Sequence, residues 1–182
     1  MAKRRPKLLG SEQLLEYGLR LLHARSLSSG ELRLRLRRKA EREEDVAPVL
    51  ARLKEYGYLN DRAFAAGFAA SRLENRGFGK ARVLRDLRQR RVDPAIAAES
   101  VENVYKDTEE EALVAAFLAR KFRKIELSSY LKDPMRLASA YRKLRLAGFS
   151  SGASIRVLQR YAAEAGELEN MEDGETEAGL DL

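Results

Sequence analysis

Apolar residues recur every three or four positions along most of this chain, with arginine dense between them. Leu15, Leu19 and Leu22 take the i, i+4, i+7 steps that align side chains on one helix face, which predicts a first helix from near Ser11. Ser28 and Glu31 have the spacing of a capping box and open a second helix through about Lys39. A third is expected from near Asp45 to Tyr56, with Val46, Val49, Leu50 and Leu53 inward and Gly57 as a left-handed stop. The same grammar then restarts. Asp61 is the expected cap of a fourth helix carrying Phe64 and Phe68, and a fifth from about Gly79 carries Val83, Leu84 and Leu87. Asp93-Pro94, a cap residue followed by proline at the first helical position, opens a sixth with Ile96, Val101 and Val104. Thr108 and Glu111 suggest a further capping box before Leu113, Phe117 and Phe122. Asp133-Pro134 opens an eighth helix, closed by Gly148, and a ninth carries Ile155 and Leu158 before fading near Ala163.

Three segments share one pattern of leucines among arginines: Leu32 to Ala40, Val83 to Val92, and Tyr141 to Phe149. A shift of 51 lays Leu32 on Val83, Leu36 on Leu87 and Arg37 on Arg88. A repeat of this length is one supersecondary unit that cannot bury its apolar face alone, so copies stack. No segment alternates as a strand does. The expected fold class is therefore all-α, with three tandem three-helix repeats in an elongated, curved array. The expected divisions are a basic arm at 1–10, repeats at 11–60, 61–106 and 107–163, and an acidic, disordered tail at 164–182.

Charge changes this picture. The chain has 182 residues and a net charge of +7, but Glu164 to Leu182 holds eight of its 28 acidic residues and no basic one. In the remainder 35 basic residues stand against 20 acidic, a net +15. Such a body attracts polyanions or an acidic protein surface. The tail is either a solvated appendage or a competitor for the basic face. With no cysteine and a single histidine, His23, the chain offers no thiolate metal site and no paired imidazoles. It has no apolar run of about 20 residues, so no membrane association is expected, and the expected compartment is the cytoplasm.

Little in the sequence points to catalysis. Glu41, Glu43, Glu44 and Asp45 precede the third helix, where carboxylates favour the positive end of its dipole. Gly77 and Gly79 match neither the Walker nor the dinucleotide spacing. The arginines are more informative. Arg33 and Arg37 are four apart, Arg82, Arg85 and Arg88 step by three, and Arg76, Lys80, Arg90 and Arg91 extend the patch. These steps set guanidinium groups on one face, able to contact DNA phosphates without reading bases or to meet acidic protein grooves. Phe64, Phe68, Phe117 and Phe122 follow core spacing, whereas Phe78, between two glycines, could pack under a corner or stand exposed.

Tyr58-Leu59-Asn60-Asp61, followed by Phe64-Ala65, Phe68, Arg72 and Arg76-Gly77-Phe78-Gly79, resembles the RecX family, bacterial regulators of the recombinase RecA. Tyr17 to Leu22, Arg25, Ser28 and Glu31-Leu32-Arg33 resemble that family's opening segment, and Ala147 to Ser150 its third repeat, so the likeness runs from about Leu14 to Tyr161. The chain departs from the family at Lys39-Ala40-Glu41 and Arg91-Val92-Asp93, where Lys-Gly-apolar stops are common, and at Lys80, where proline is frequent. The resemblance implies a monomer without cofactor, lying along the groove of a RecA nucleoprotein filament. It further implies inhibition of the filament's ATPase, strand exchange and co-protease functions. The candidate partner- or DNA-contacting residues are Arg33, Arg37, Arg72, Arg76, Lys80, Arg82, Arg85 and Arg88.

Overall fold

The computed structural model describes residues 8–168 of the chain. Helices and turns account for them, with one isolated bridge in place of any sheet. Ten α-helices follow in order: α1 (Ser11–Ala24), α2 (Ser29–Arg37), α3 (Val46–Glu55), α4 (Asp61–Arg76), α5 (Lys80–Gln89), α6 (Pro94–Tyr105), α7 (Glu110–Lys121), α8 (Leu127–Tyr130), α9 (Pro134–Leu146) and α10 (Ser151–Gln159). They form two compact units. The first comprises Met1–Ala69 with Leu84–Asn103, and the second Ala70–Val83 with Val104–Leu182, so α4, α5 and α6 each give residues to both.

In the first unit α1, α2 and α3 pack pairwise around a core that includes Leu14, Leu32, Leu36, Val49 and Leu53, each fully buried. At Gly18 α1 comes close to α3: a Cβ there would stand 3.0 Å from Leu53 Cδ1, so a larger residue would require that side chain to shift. The expected capping box of α2 forms, with the Ser28 hydroxyl accepting from Glu31 N at 3.0 Å and Glu31 accepting from Ser28 N at 3.4 Å. α3 ends in a left-handed turn at Gly57, whose φ is 77°. Before α1, Leu9 pairs with the chain at Ala40: its N–H donates to Lys39 O at 2.8 Å and its carbonyl accepts from Glu41 N at 3.0 Å.

The second unit buries Val114, Leu118, Leu131, Leu144, Phe149, Val157 and Leu158 where α10 packs on α7 and α9. Its tightest approach joins the start of α5 to the end of α9. Gly79 N donates to Ala147 O at 2.9 Å and Ala81 N to Gly148 O at 3.2 Å, and a Cβ at either glycine would collide with backbone of the other segment. Phe78 is half-buried against the core, and its carbonyl accepts from the Tyr105 hydroxyl at 2.7 Å. The corner residue is thus packed rather than presented.

Several expectations need correction. Asn60, not Asp61, caps α4: its side chain accepts from Ala63 N at 2.9 Å, while Asp61 accepts from Ser29 N at 2.7 Å and ties α4 to α2. The Thr108–Glu111 box does not form. α7 begins at Glu110 with no side-chain cap, because its carboxylates serve α10 instead: Glu110 accepts from Ser150 N and Oγ at 2.7 Å, and Glu111 pairs with Arg156 and Arg160. Those guanidinium groups hold the Glu111 carboxyl below its usual range. α8 had no periodicity to announce it; Glu126 caps it by accepting from Ser128 N and Ser129 N, and hydrogen bonds from the Ser129 side chain, then its backbone, and from Ser128 lower the Glu126 pKa to about 2. The chain also stays packed beyond the expected end of the last repeat, since residues 163–167 form a 3-10 turn that buries Ala165, with Leu168 following into the core. Residues 1–7 of the expected arm and 169–182 of the expected tail lie outside the described residues.

Candidate functional site

Arg33, on α2, and Arg88, in the last turn of α5, are brought together in the first unit. They line one recess of ≈ 600 Å³ with Lys54, Arg91 and Ser29. Arg33, Lys54, Arg88 and Arg91 are exposed, and among the described residues none of the four forms an ion pair. Lys54 and Arg88 belong to last turns, where cations favour the negative end of the helix dipole. Asp61 and Asp93 also face this recess, but each accepts backbone N–H groups: Asp61 from Ser29, and Asp93 from Ala95 and Ile96 at 2.9 and 3.3 Å. The Ser29 hydroxyl is buried and has no hydrogen-bond partner.

A second recess of ≈ 570 Å³ adjoins at Arg91, which lines both, and there Arg35, Arg38 and Lys39 stand with Tyr17 and Glu31. Glu31 is already engaged by Ser28 N and by Arg90 at 3.0 Å. Arg90 itself is withdrawn from the surface patch. Its guanidinium donates to Ser26 O, pairs with Glu31 and lies over the stacked rings of Phe64 and Phe68, 5.3 and 6.0 Å from their centroids. Arg90 is therefore a structural clamp.

The other candidates are dispersed. Arg37 is spent on Glu43 at 2.8 Å. Arg85 is exposed in the first unit. In the second unit Arg72 is half-buried, Arg76 is exposed with its carbonyl accepting from Arg120, and Arg82 lies over the Phe78 ring at 5.5 Å. Lys80 lines a smaller recess of ≈ 290 Å³ with Tyr105, Glu110 and Ser150. The expected single stripe of Arg82, Arg85 and Arg88 is not uniform. Steps of three fall short of a helical turn, so Arg82 and Arg88 point about 120° apart, and Arg82 is half-buried while the other two are exposed. Sequence reasoning passed over Lys54, Arg35, Arg38 and Lys39, which lie in or just after last turns of α2 and α3; their common signal was position at helix ends.

No group of three metal-binding side chains occurs among the described residues. The carboxylate run before α3 is taken up by arginines, Glu43 by Arg37, Glu44 and Asp45 by Arg42. His23 is exposed, edge-on to Tyr58 at 6.3 Å. Among the described residues no helix is long and apolar enough to cross a membrane. What the first unit offers chemically is a cationic surface of separate guanidinium and ammonium groups.

Residues 60–101 match the family described as "RecX, second three-helix domain". The chain is 33% identical over 156 residues to "Regulatory protein RecX" of Streptomyces coelicolor, covering 86% of this chain and 81% of that protein. It is 38% identical over 148 residues to "Regulatory protein RecX" of Deinococcus radiodurans, covering 80% and 68% respectively. The crystal structure of RecX from Lactobacillus salivarius superposes with a TM-score of 0.68 at 18% identity, over 83% of this chain and 96% of that one.

Proposed function

Because the chain belongs to the RecX family of regulatory proteins, we propose that it binds the RecA recombinase filament and inhibits its ATPase, strand-exchange and co-protease activities. The observation that carries this reading is the extent of the relationship, which spans most of both chains rather than one helix pair. The arrangement suits a binder. Its exposed cations gather around two open recesses of the first unit, and such a protein acts through different affinities for assembled and unassembled filament. Adding the protein to pre-formed RecA filaments in low salt tests this directly. ATP hydrolysis should fall as the protein approaches stoichiometry with RecA, and an unchanged rate would reject the proposal.

A second reading, a DNA-binding protein that acts without RecA, is favoured by the exposed Arg33, Arg88 and Arg91. It predicts DNA affinity that falls steeply with salt. Strong DNA binding with RecA turnover untouched would select this reading over the first.

A further inference from the structure

Among the described residues, four helices end in a left-handed residue. At three of them the residue is glycine, Gly57, Gly77 and Gly148, with φ of 77°, 55° and 92°. The fourth, after α5, is Arg91 with φ 57°, the one non-glycine residue of positive φ among those described. L-residues avoid this conformation because Cβ crowds the backbone, and arginine has no local hydrogen bond to offset it. Arg91 sets its backbone and Cβ so close to Gly30 that a Cβ on Gly30 would collide with both, while Arg91 as a whole is exposed. That side chain forms the shared wall of the two basic recesses.

We propose that Arg91 is the centre of a phosphate-binding site on the first unit, which takes the backbone of a nucleic-acid strand with phosphates in both recesses. The site deepens the DNA-contacting reading above and requires nothing of RecA. Arg33, Lys54 and Arg88 surround one recess, Arg35, Arg38 and Lys39 the other, and the planar fork of Arg91 suits the oxygens of successive phosphates. The wall carboxylates are outnumbered: counting Arg91 on both sides, four cations face Asp61 and Asp93 in one recess, and four face Glu31, itself paired with Arg90, in the other. Ser29 also lines this recess, with its hydroxyl buried and without a hydrogen-bond partner. Two adjoining recesses with a common guanidinium fit a chain of phosphates better than one small anion.

The test uses the full chain without RecA, with a fluorescent oligothymidylate and anisotropy read across a salt series. Arg91→Gly should melt at a higher temperature than the parent, since glycine takes the left-handed turn freely, yet bind more weakly. Its log–log salt slope should be shallower by about 0.7 for each phosphate that the variant no longer neutralises. An Arg91→Gly protein of undiminished stability that keeps the parental affinity and slope overturns the proposal. Arg88→Glu, outside the strained turn, should weaken binding in the same direction, and unchanged binding there counts equally against the site. Competition settles the ligand. Tripolyphosphate should displace the oligonucleotide only in large excess, and parity would make the site one for free polyphosphate rather than a strand. Displacement by poly-glutamate at matched charge would show that phosphate is not what is recognised.

Discussion

Replacing Gly148 by alanine perturbs the contact between the end of α9 and the start of α5, and the structure supplies an internal control at Gly57. Both residues have positive φ, 92° and 77°, so an alanine at either bears a left-handed penalty of about 1–2 kcal/mol. Part of that is recovered because alanine restricts the unfolded chain by roughly 0.4–1 kcal/mol. At Gly57 nothing lies within 4 Å of the new Cβ, so the net loss should be about 1 kcal/mol. At Gly148 the Cβ collides with the Arg82 backbone and stands 2.8 Å from Gly79 O, so the two segments must separate. Separation weakens the bonds from Gly79 N to Ala147 O and from Ala81 N to Gly148 O, at about 1 kcal/mol each. Together with overpacking strain of about 1–3 kcal/mol, the total reaches roughly 4 kcal/mol. Urea unfolding of the parent and both variants measures the difference through the midpoint at constant m. In thermal unfolding the shifts should be about 3 °C for Gly57→Ala and about 10 °C for Gly148→Ala. Equal losses in the two variants would refute the claim that close backbone approach, rather than φ alone, demands glycine at position 148.

Other consequences can be checked on the same preparations. Tyr105→Phe removes the hydrogen bond to Phe78 O and should lower stability by about 1 kcal/mol. Burial raises the Tyr105 pKa to about 12, so the neutral phenol stabilises the fold fully below pH 10 and that contribution is lost as pH rises from 10 toward 12; the variant should lack this alkaline component in unfolding measured across that range. Glu126 works in the opposite direction. With its folded pKa lowered to about 2, it stabilises above its ordinary 4.5 and loses that effect as pH falls toward 2, so Glu126→Gln should show a smaller drop in melting temperature between pH 5 and pH 2.5 than the parent.

Helix periodicity made most elements legible because their apolar faces are buried by neighbours at the expected spacing. Val46, Val49, Leu50 and Leu53 of α3 are expected inward, and all four are buried. Cap signals were legible where the competition was local, as at Ser28, Asp93 and Asp133. They misled where a distant partner offered a better bond: Asp61 goes to Ser29, and Glu111 to two arginines forty-five or more residues away. The string Tyr58-Leu59-Asn60-Asp61 has a structural role, with Leu59 in the core, Asn60 capping α4 and Asp61 bonding α2. Arginines were the least legible. Counting them could not separate Arg90, consumed by Glu31 and two rings, from Arg91 beside it, because that division is made by burial and aromatic faces that only the assembled helices create.

The packing of Leu168 and the pairing of Leu9 with residues 39 to 41 set limits on shortening the chain. Removing everything from Glu164 onward would strip acidic charge but would also pull Ala165 and Leu168 out of the second core, so any gain in anion affinity would be confounded with partial unfolding. Cutting after Leu168 deletes six of the acidic residues and retains Ala165 and Leu168. At the other end a truncation must spare Leu9 and Gly10, whose carbonyl accepts from Leu14 N at 2.9 Å and opens α1. A chain running from Leu8 to Leu168 would lose six carboxylates and keep every contact named above.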